Sequence, residues 1–188
     1  MPSVVVEGTR FRCCEPGTVL LLSSFQFALS GSPVLAIEIC PDRIGMAAEN
    51  AKVYGVQEKV DFIVGDFLSL AHGLLHTLVG VVYLSPPWGG LDYGHGTIQL
   101  DAIGGCGFDG RDIFDAALSL SPSIVYFLPR NIDLAAVRVL AQRHRAAWPS
   151  LGGRHAITEA RIGHRLKGLN VYFGLIANGF STVTEPAG

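Results

Sequence analysis

The sequence predicts an α/β fold, a mostly parallel sheet with an antiparallel C-terminal hairpin. Two observations carry this. Apolar, β-branched runs at Val34–Ile39, Val60–Val64, Val79–Leu84 and Ser123–Leu128 alternate with stretches of helical spacing, the pattern of parallel strands joined by crossover helices. The last two apolar runs, His155–Ile162 and Leu169–Ala177, have only the short Gly163–Gly168 connection between them, which suits a hairpin. At 188 residues, 49% hydrophobic and 16% charged, the chain can bury one sizeable core.

Residues 1–33 are read as a divergent or truncated N-terminal segment, 34–180 as the core and 181–188 as a frayed tail. In the first segment, Val4–Val6 and Val19–Leu22 are candidate strands and Ser24–Leu29 opens a helix. Pro41 suits a helix N-terminus, Asp42 suits its first turn, and Gly55 closes it. Ile44, Ala47, Ala48, Ala51 and Tyr54 keep helical spacing between them. Leu68–His76 is a short helix. Gly94–Gly110 reads as a mobile, Gly-rich loop over the site. Asp109–Leu120 and Asp133–Arg145 are helices, and Pro149–Gly153 is a turn.

The totals exclude several classes. A formal net charge of −2 and a pI near 6.3 argue against a broad nucleic-acid-coating surface, which needs clustered Lys and Arg. Cys13, Cys14, Cys40 and Cys106 form no CxxC pair, so they read as free thiols of a reducing compartment rather than a zinc site. His72 and His76 lack a third ligand and read as surface residues. No apolar run approaches the roughly 20 residues that span a bilayer. No metal and no membrane are expected.

The chemistry gathers where strands end. Val79–Tyr93 reads VGVVYLSPPWGGLDY. Pro86 and Pro87 stop regular pairing and fix their own φ, giving a stiff corner with Trp88 at the carboxyl end of a strand. In open α/β sheets that edge binds ligands. Such a corner suits methylation of an exocyclic amine on a base. Ser85 and a backbone carbonyl beside Pro86 can accept the amine N–H bonds and aim the nitrogen lone pair. Trp88 offers a face for the base, worth roughly 1–3 kcal/mol. The competing reading is a strand-ending turn with a core tryptophan.

Other strand ends add to this. Glu38 could accept both hydroxyls of a ribose, or be a solvated strand-end charge. Asp66 could accept from an adenine amino group with Phe67 packing on the ring, or simply cap the next helix. Arg130 could pair with a phosphate or with a surface carboxylate. Arg165 and Lys167 are phosphate candidates on the hairpin connection, or its solvated tip. Glu38, Asp66 and Ser85–Trp88 together fit an S-adenosylmethionine site facing an amine acceptor.

Longer stretches carry a resemblance. FQFALSGSPVLAIEI, NAKVYGV, KVDFIVGDF, VVYLSPPWGGLDY, SIVYFLPRN and LKGLNVYFG occur in order over Phe25–Gly179. The sequence resembles the trimethylguanosine synthase family, similar to class I (Rossmann-like) S-adenosylmethionine-dependent methyltransferases. The resemblance implies methyl transfer to the N2 amine of a 7-methylguanosine cap on small nuclear and nucleolar RNAs, in the nucleus. It also implies Glu38 at the cofactor ribose and Asp66 and Phe67 at its adenine. Ser85 and Pro86 are then expected at the guanine amine, and Trp88 stacked on the cationic 7-methylguanine. Arg130 and Asn131 are expected near the cap phosphates, and Lys167 stays a substrate-binding candidate on the residue reading alone.

One departure stands out. Where the family has an Asp-x-x-Cys-Gly-x-Gly-Gly-Asn-like loop, this chain has Glu15–Ser23, with leucines in place of glycines that let the backbone approach the cofactor. The family's N-terminal covering segment is also absent from the register. The expectation is a truncated or mis-spliced version, or a degenerate homologue. Two rival functions follow: a methyltransferase fold binding capped RNA or a protein partner without activity, and a methyltransferase for another nucleobase amine.

Overall fold

The computed structural model describes residues 3–7, 22–73, 79–88, 96–103 and 109–180. Seven strands form one sheet: β1 (Ser3–Glu7), β2 (Val34–Glu38), β3 (Val60–Val64), β4 (Val81–Ser85), β5 (Ile124–Pro129), β6 (His155–Ile162) and β7 (Arg165–Phe173). Their order is β3-β2-β1-β4-β5-β7-β6. The β3 to β5 half is parallel, and β7 runs antiparallel to both β5 and β6. The expected architecture is therefore present.

The order places β1 in the middle of the five parallel strands, with β2 on one side and β4 on the other. The chain leaves β1 toward β3 and then returns across it to β4. In open α/β sheets ligands bind at such a reversal, which here falls at the carboxyl ends of β1 and β4. The candidate strand Val4–Val6, in the segment read as divergent or truncated, lies within β1, the middle strand of the parallel half. That segment also contributes α1 (Leu22–Leu29), whose Phe25 and Ala28 are buried against β2. The candidate strand Val19–Leu22 lies outside the described residues apart from Leu22, which begins α1.

Helices cover both faces because the strand residues alternate between them. Val34, Ala36 and Val60 meet α1 and α2 (Pro41–Val53). Ile37, Val82, Leu84, Ile124, Tyr126 and Val171 enter the larger cluster on the other face. That cluster is closed by α3 (Phe67–Leu70), α4 (Gly110–Leu118) and α5 (Leu134–Ala147). α2 is built as its sequence dictates, with Pro41 in the first turn, Asp42 beside it, Lys52 in the last turn and Gly55 beyond at φ 67°. α4 and α5 are capped by Asp109 and Asp133, each accepting a backbone N–H two residues on.

Four local expectations need correction. β4 starts at Val81, because the Ser121 hydroxyl occupies the Gly80 carbonyl at 2.9 Å. The Leu68–His76 helix is a single α-turn followed by a 3₁₀ turn at Ala71–Gly73, and His76 lies outside the described residues. β7 begins at Arg165, so Arg165–Gly168 belongs to a strand and not to a connection. Gly168 is there for close packing: a Cβ on it would stand 2.6 Å from Phe127 Cε2 and 2.7 Å from the Leu128 carbonyl oxygen. β7 ends at Phe173 rather than Ala177, because Gly174 turns the chain at φ 80° against the Pro122 carbonyl.

The described part of the loop after β4 is also anchored rather than loose. Ile98, Leu100 and Ile103 are buried in the main core. Ile98 donates to the Asn131 carbonyl at 2.9 Å and accepts from Asp133 N–H at 2.9 Å. Apolar residues within a Gly-rich stretch were the signal for this.

Candidate active site

Each candidate residue sits where a strand stops. At β4, Ser85 pairs in backbone register with Glu7 of β1, which sets the strand-end position of Ser85. Pro86 is buried, and Ser85, Pro87 and Trp88 are half-buried. The indole is half-buried and packs against the main core. Trp88 Nε1 donates to the Phe127 carbonyl at 3.3 Å, and the two rings meet at 4.8 Å with a 54° tilt. Phe127 lies one strand over, on β5, and its ring rests against Gly168. This support for Trp88 was not legible in the sequence.

Glu38 closes β2 and is 2% exposed, so it is not a solvated strand-end charge. Its Oε1 accepts the Cys40 N–H at 2.8 Å and its Oε2 faces Arg43 at 3.6 Å. Burial nevertheless pushes its carboxyl above the usual range, outweighing the Cys40 N–H and the Arg43 charge. The cause is desolvation, since the carboxylate already has the Cys40 and Ile39 N–H groups and Arg43 as partners. A vicinal diol could add two O–H donors to a carboxylate held in this way.

Asp66 ends β3 as the cap of α3. It accepts from Leu68 N–H at 3.2 Å and from the Ser69 hydroxyl at 2.7 Å. The capping alternative is thus realised. Phe67 is 1% exposed and lies in the main core. Its ring is engaged there, so the expectation that it presents a face to adenine finds no open ring; an apolar residue just inside a helix N-terminus packs inward.

Beyond β5, Arg130 is exposed and has no acidic partner among the described residues, so the surface salt bridge is not observed. Asn131 donates through Nδ2 to the Gly96 carbonyl at 2.5 Å. It straps the loop after β4 to the turn after β5, a job the sequence did not suggest. Lys167 is exposed on β7, one residue before Gly168, which pairs with Pro129. The strand order therefore lines up Trp88, Arg130 and Lys167 along one edge of the sheet. The stretch 8–21, including most of the leucine-bearing Glu15–Ser23 segment, lies outside the described residues, as does the 181–188 tail.

Comparison with known proteins decides the family. The family model described as RNA cap guanine-N2 methyltransferase matches residues 23–176. The chain belongs to the RNA cap guanine-N2 methyltransferase family. It is 33% identical over 178 residues to a trimethylguanosine synthase of Schizosaccharomyces pombe, covering 93% of this chain and 66% of that protein. To a trimethylguanosine synthase of Saccharomyces cerevisiae it is 28% identical over 138 residues, covering 65% and 42%. The chain thus spans two thirds or less of the length of these relatives. Among solved structures, the methyltransferase domain of METTL16 superposes with a TM-score of 0.60 at 13% identity, over 92% of this chain and 59% of that one. The fold is that of class I S-adenosylmethionine-dependent methyltransferases.

Proposed function

We propose that this cap methyltransferase family member transfers a methyl group from S-adenosylmethionine to the N2 amine of a 7-methylguanosine RNA cap. The observation that carries the reading is the proline-locked Ser85–Trp88 corner at the β1/β4 reversal, with the indole fixed by Phe127. Glu38 would hold the donor through its ribose hydroxyls, and Asp66 marks its adenine end. When bound, S-adenosylmethionine supplies an electrophilic methyl group.

The protein's own residues orient the acceptor. Ser85 and the carbonyl beside Pro86 accept the N2–H bonds, which concentrates electron density on a nitrogen otherwise conjugated into the ring. Pro87 keeps that carbonyl from swinging away. Trp88 holds the base; the positive charge of 7-methylguanine adds cation–π attraction to stacking. Arg130 and Lys167 face the cap phosphates, and Asn131 fixes the turn from which Arg130 projects. Orientation of this type can contribute on the order of 7–11 kcal/mol. No dedicated base is required, because the nitrogen loses its proton to water once alkylated. A nuclear enzyme acting on small nuclear and nucleolar RNAs fits this chemistry. The family match favours guanine over adenine as the base.

Fluorescence titration with 7-methylguanosine diphosphate tests the reading. Wild type should prefer it over guanosine diphosphate. Trp88→Ala should weaken binding about 5- to 150-fold, in line with a stacking loss of roughly 1–3 kcal/mol, and Trp88→Phe should restore part of it. Unchanged affinity in a folded Trp88→Ala protein would overturn the reading.

A further inference from the structure

The row of cations does not stop at Lys167. β7 runs antiparallel to β5, so its first residues lie at the edge where β5 ends. The last β5–β7 pair is Pro129↔Gly168, and β7 begins three residues earlier at Arg165. At roughly 3.3 Å per residue, the β6–β7 hairpin extends about 10 Å past that pair. Ala160 pairs with Gly168 and Arg161 with Leu166, which leaves Lys167 as the extra residue of a bulge. Bulges sharpen twist and re-aim side chains.

The projecting tip is basic in an acidic protein. Glu159 to Lys167 carries three Lys or Arg against one Glu, while the whole chain is −2. Arg161, His164, Arg165 and Lys167 are all exposed. Arg161 is bound to Glu159 at 2.6 Å and to the His164 carbonyl at 3.1 Å, which stiffens the turn. Arg165 and Lys167 have no acidic partner among the described residues. Ile162, 71% exposed beside them, offers an apolar face to a base. Cations aligned with a strand, ending at an apolar residue, match a single-stranded polynucleotide: phosphates to the cations, a base to the apolar tip.

We propose that the β6–β7 hairpin tip is an RNA-binding arm that holds the first nucleotides following the cap, through Arg161 and Arg165. For the identity of the RNA this rests on the cap-methylation reading above. Single-stranded RNA reaching Trp88 by its capped end would leave the site along Arg130 and Lys167 and meet the tip next. The surface is small, consistent with few contacts and modest, salt-sensitive affinity.

The test compares wild type with the double variant Arg161→Gln, Arg165→Gln, each as the full chain. Ligands are 7-methylguanosine diphosphate, a capped ten-nucleotide RNA and the same RNA uncapped. The cap nucleotide alone should bind both proteins equally. For the capped RNA, losing two phosphate contacts should reduce the slope of log affinity against log salt by about 1.4, so that between roughly 50 and 200 mM salt wild type loses about sevenfold more affinity than the variant. Arg165→Lys should retain most of the slope. Equal slopes for the two proteins would overturn the arm, including the case in which the tip serves an acidic protein. Should the cap nucleotide bind neither protein, the cap reading has failed, and the slope difference on the uncapped RNA still decides the arm.

Discussion

Gly168→Ala tests the chain of contacts that holds Trp88 in place. The added methyl carbon would lie 2.6 Å from Phe127 Cε2, 2.8 Å from its Cζ and 2.7 Å from the Leu128 carbonyl oxygen. The ring can shift; the carbonyl belongs to the β5–β7 ladder and yields only if the strands part. Overpacking of this type costs about 1–3 kcal/mol. For a chain of this size each kcal/mol moves the midpoint by about 2–4 °C, so the melt should fall by roughly 2–12 °C. Phe127 also fixes the indole, so cap affinity should fall with it. If about half of a stacking energy of 1–3 kcal/mol is lost, 7-methylguanosine diphosphate should bind roughly 2- to 12-fold more weakly. S-adenosylmethionine affinity should not change, because Glu38 and Asp66 lie across the sheet at β2 and β3. Differential scanning fluorimetry and tryptophan titration give the two numbers. Adding Phe127→Ala should relieve part of the stability cost, a coupling readable in a double-mutant cycle. A Gly168→Ala protein with the wild-type melt and cap affinity would refute the reasoning.

Further outcomes are expected at Glu38 and Asp109. Glu38→Gln should reduce S-adenosylmethionine affinity at least tenfold by calorimetry, since charged hydrogen bonds contribute roughly 1.5–3 kcal/mol. Burial raises the folded-state pKa of Glu38, so its charge costs stability at neutral pH and the cost disappears as pH falls through that pKa toward 4.5. Ligand-free Glu38→Gln should therefore melt at or above wild type near pH 7.5, with the gap closing on acidification; a large drop at pH 7.5 would contradict this. Asp109→Ala should cost about 1 kcal/mol through loss of the α4 cap, while Asp109→Asn keeps the cap and loses only the Arg111 pairing. Burial tends to raise the Asp109 carboxyl, but the Arg111 side chain and N–H hold it below the usual range. Its contribution is thus present above about pH 4 and lost as pH falls through the folded pKa, and the difference between wild type and Asp109→Asn should shrink there.

The parallel strands were legible because each is an apolar run bounded by Gly, Pro or a capping acid; β3 and β6 were read with their observed bounds. β7 was misread at its start because Gly168 looks like a turn residue, whereas its lack of a side chain serves contact with Phe127. β1 was the weakest reading, since its apolar run is only Val4–Val6 and no capping or turn signal bounds it; pairing with β2 and β4 puts it in the middle of the parallel half. In the candidate site, the strand-end positions of Glu38 and of the Ser85–Trp88 corner were readable. Phe127 behind Trp88 and the Asn131 strap to Gly96 depend on neighbouring strands, which local sequence does not encode. Asp66 shows the limit of residue types, because an acid after a strand serves a helix cap as readily as a ligand.

The most direct measurement is methyl transfer itself. The full chain should be incubated with isotope-labelled S-adenosylmethionine and 7-methylguanosine diphosphate, and the product digested and read by mass spectrometry. Label on the exocyclic N2 of guanine, lost in Ser85→Ala and Trp88→Ala and absent with adenosine diphosphate, is the expected result. Binding of the cap nucleotide without any transfer at saturating donor, or label on adenine instead, would contradict it.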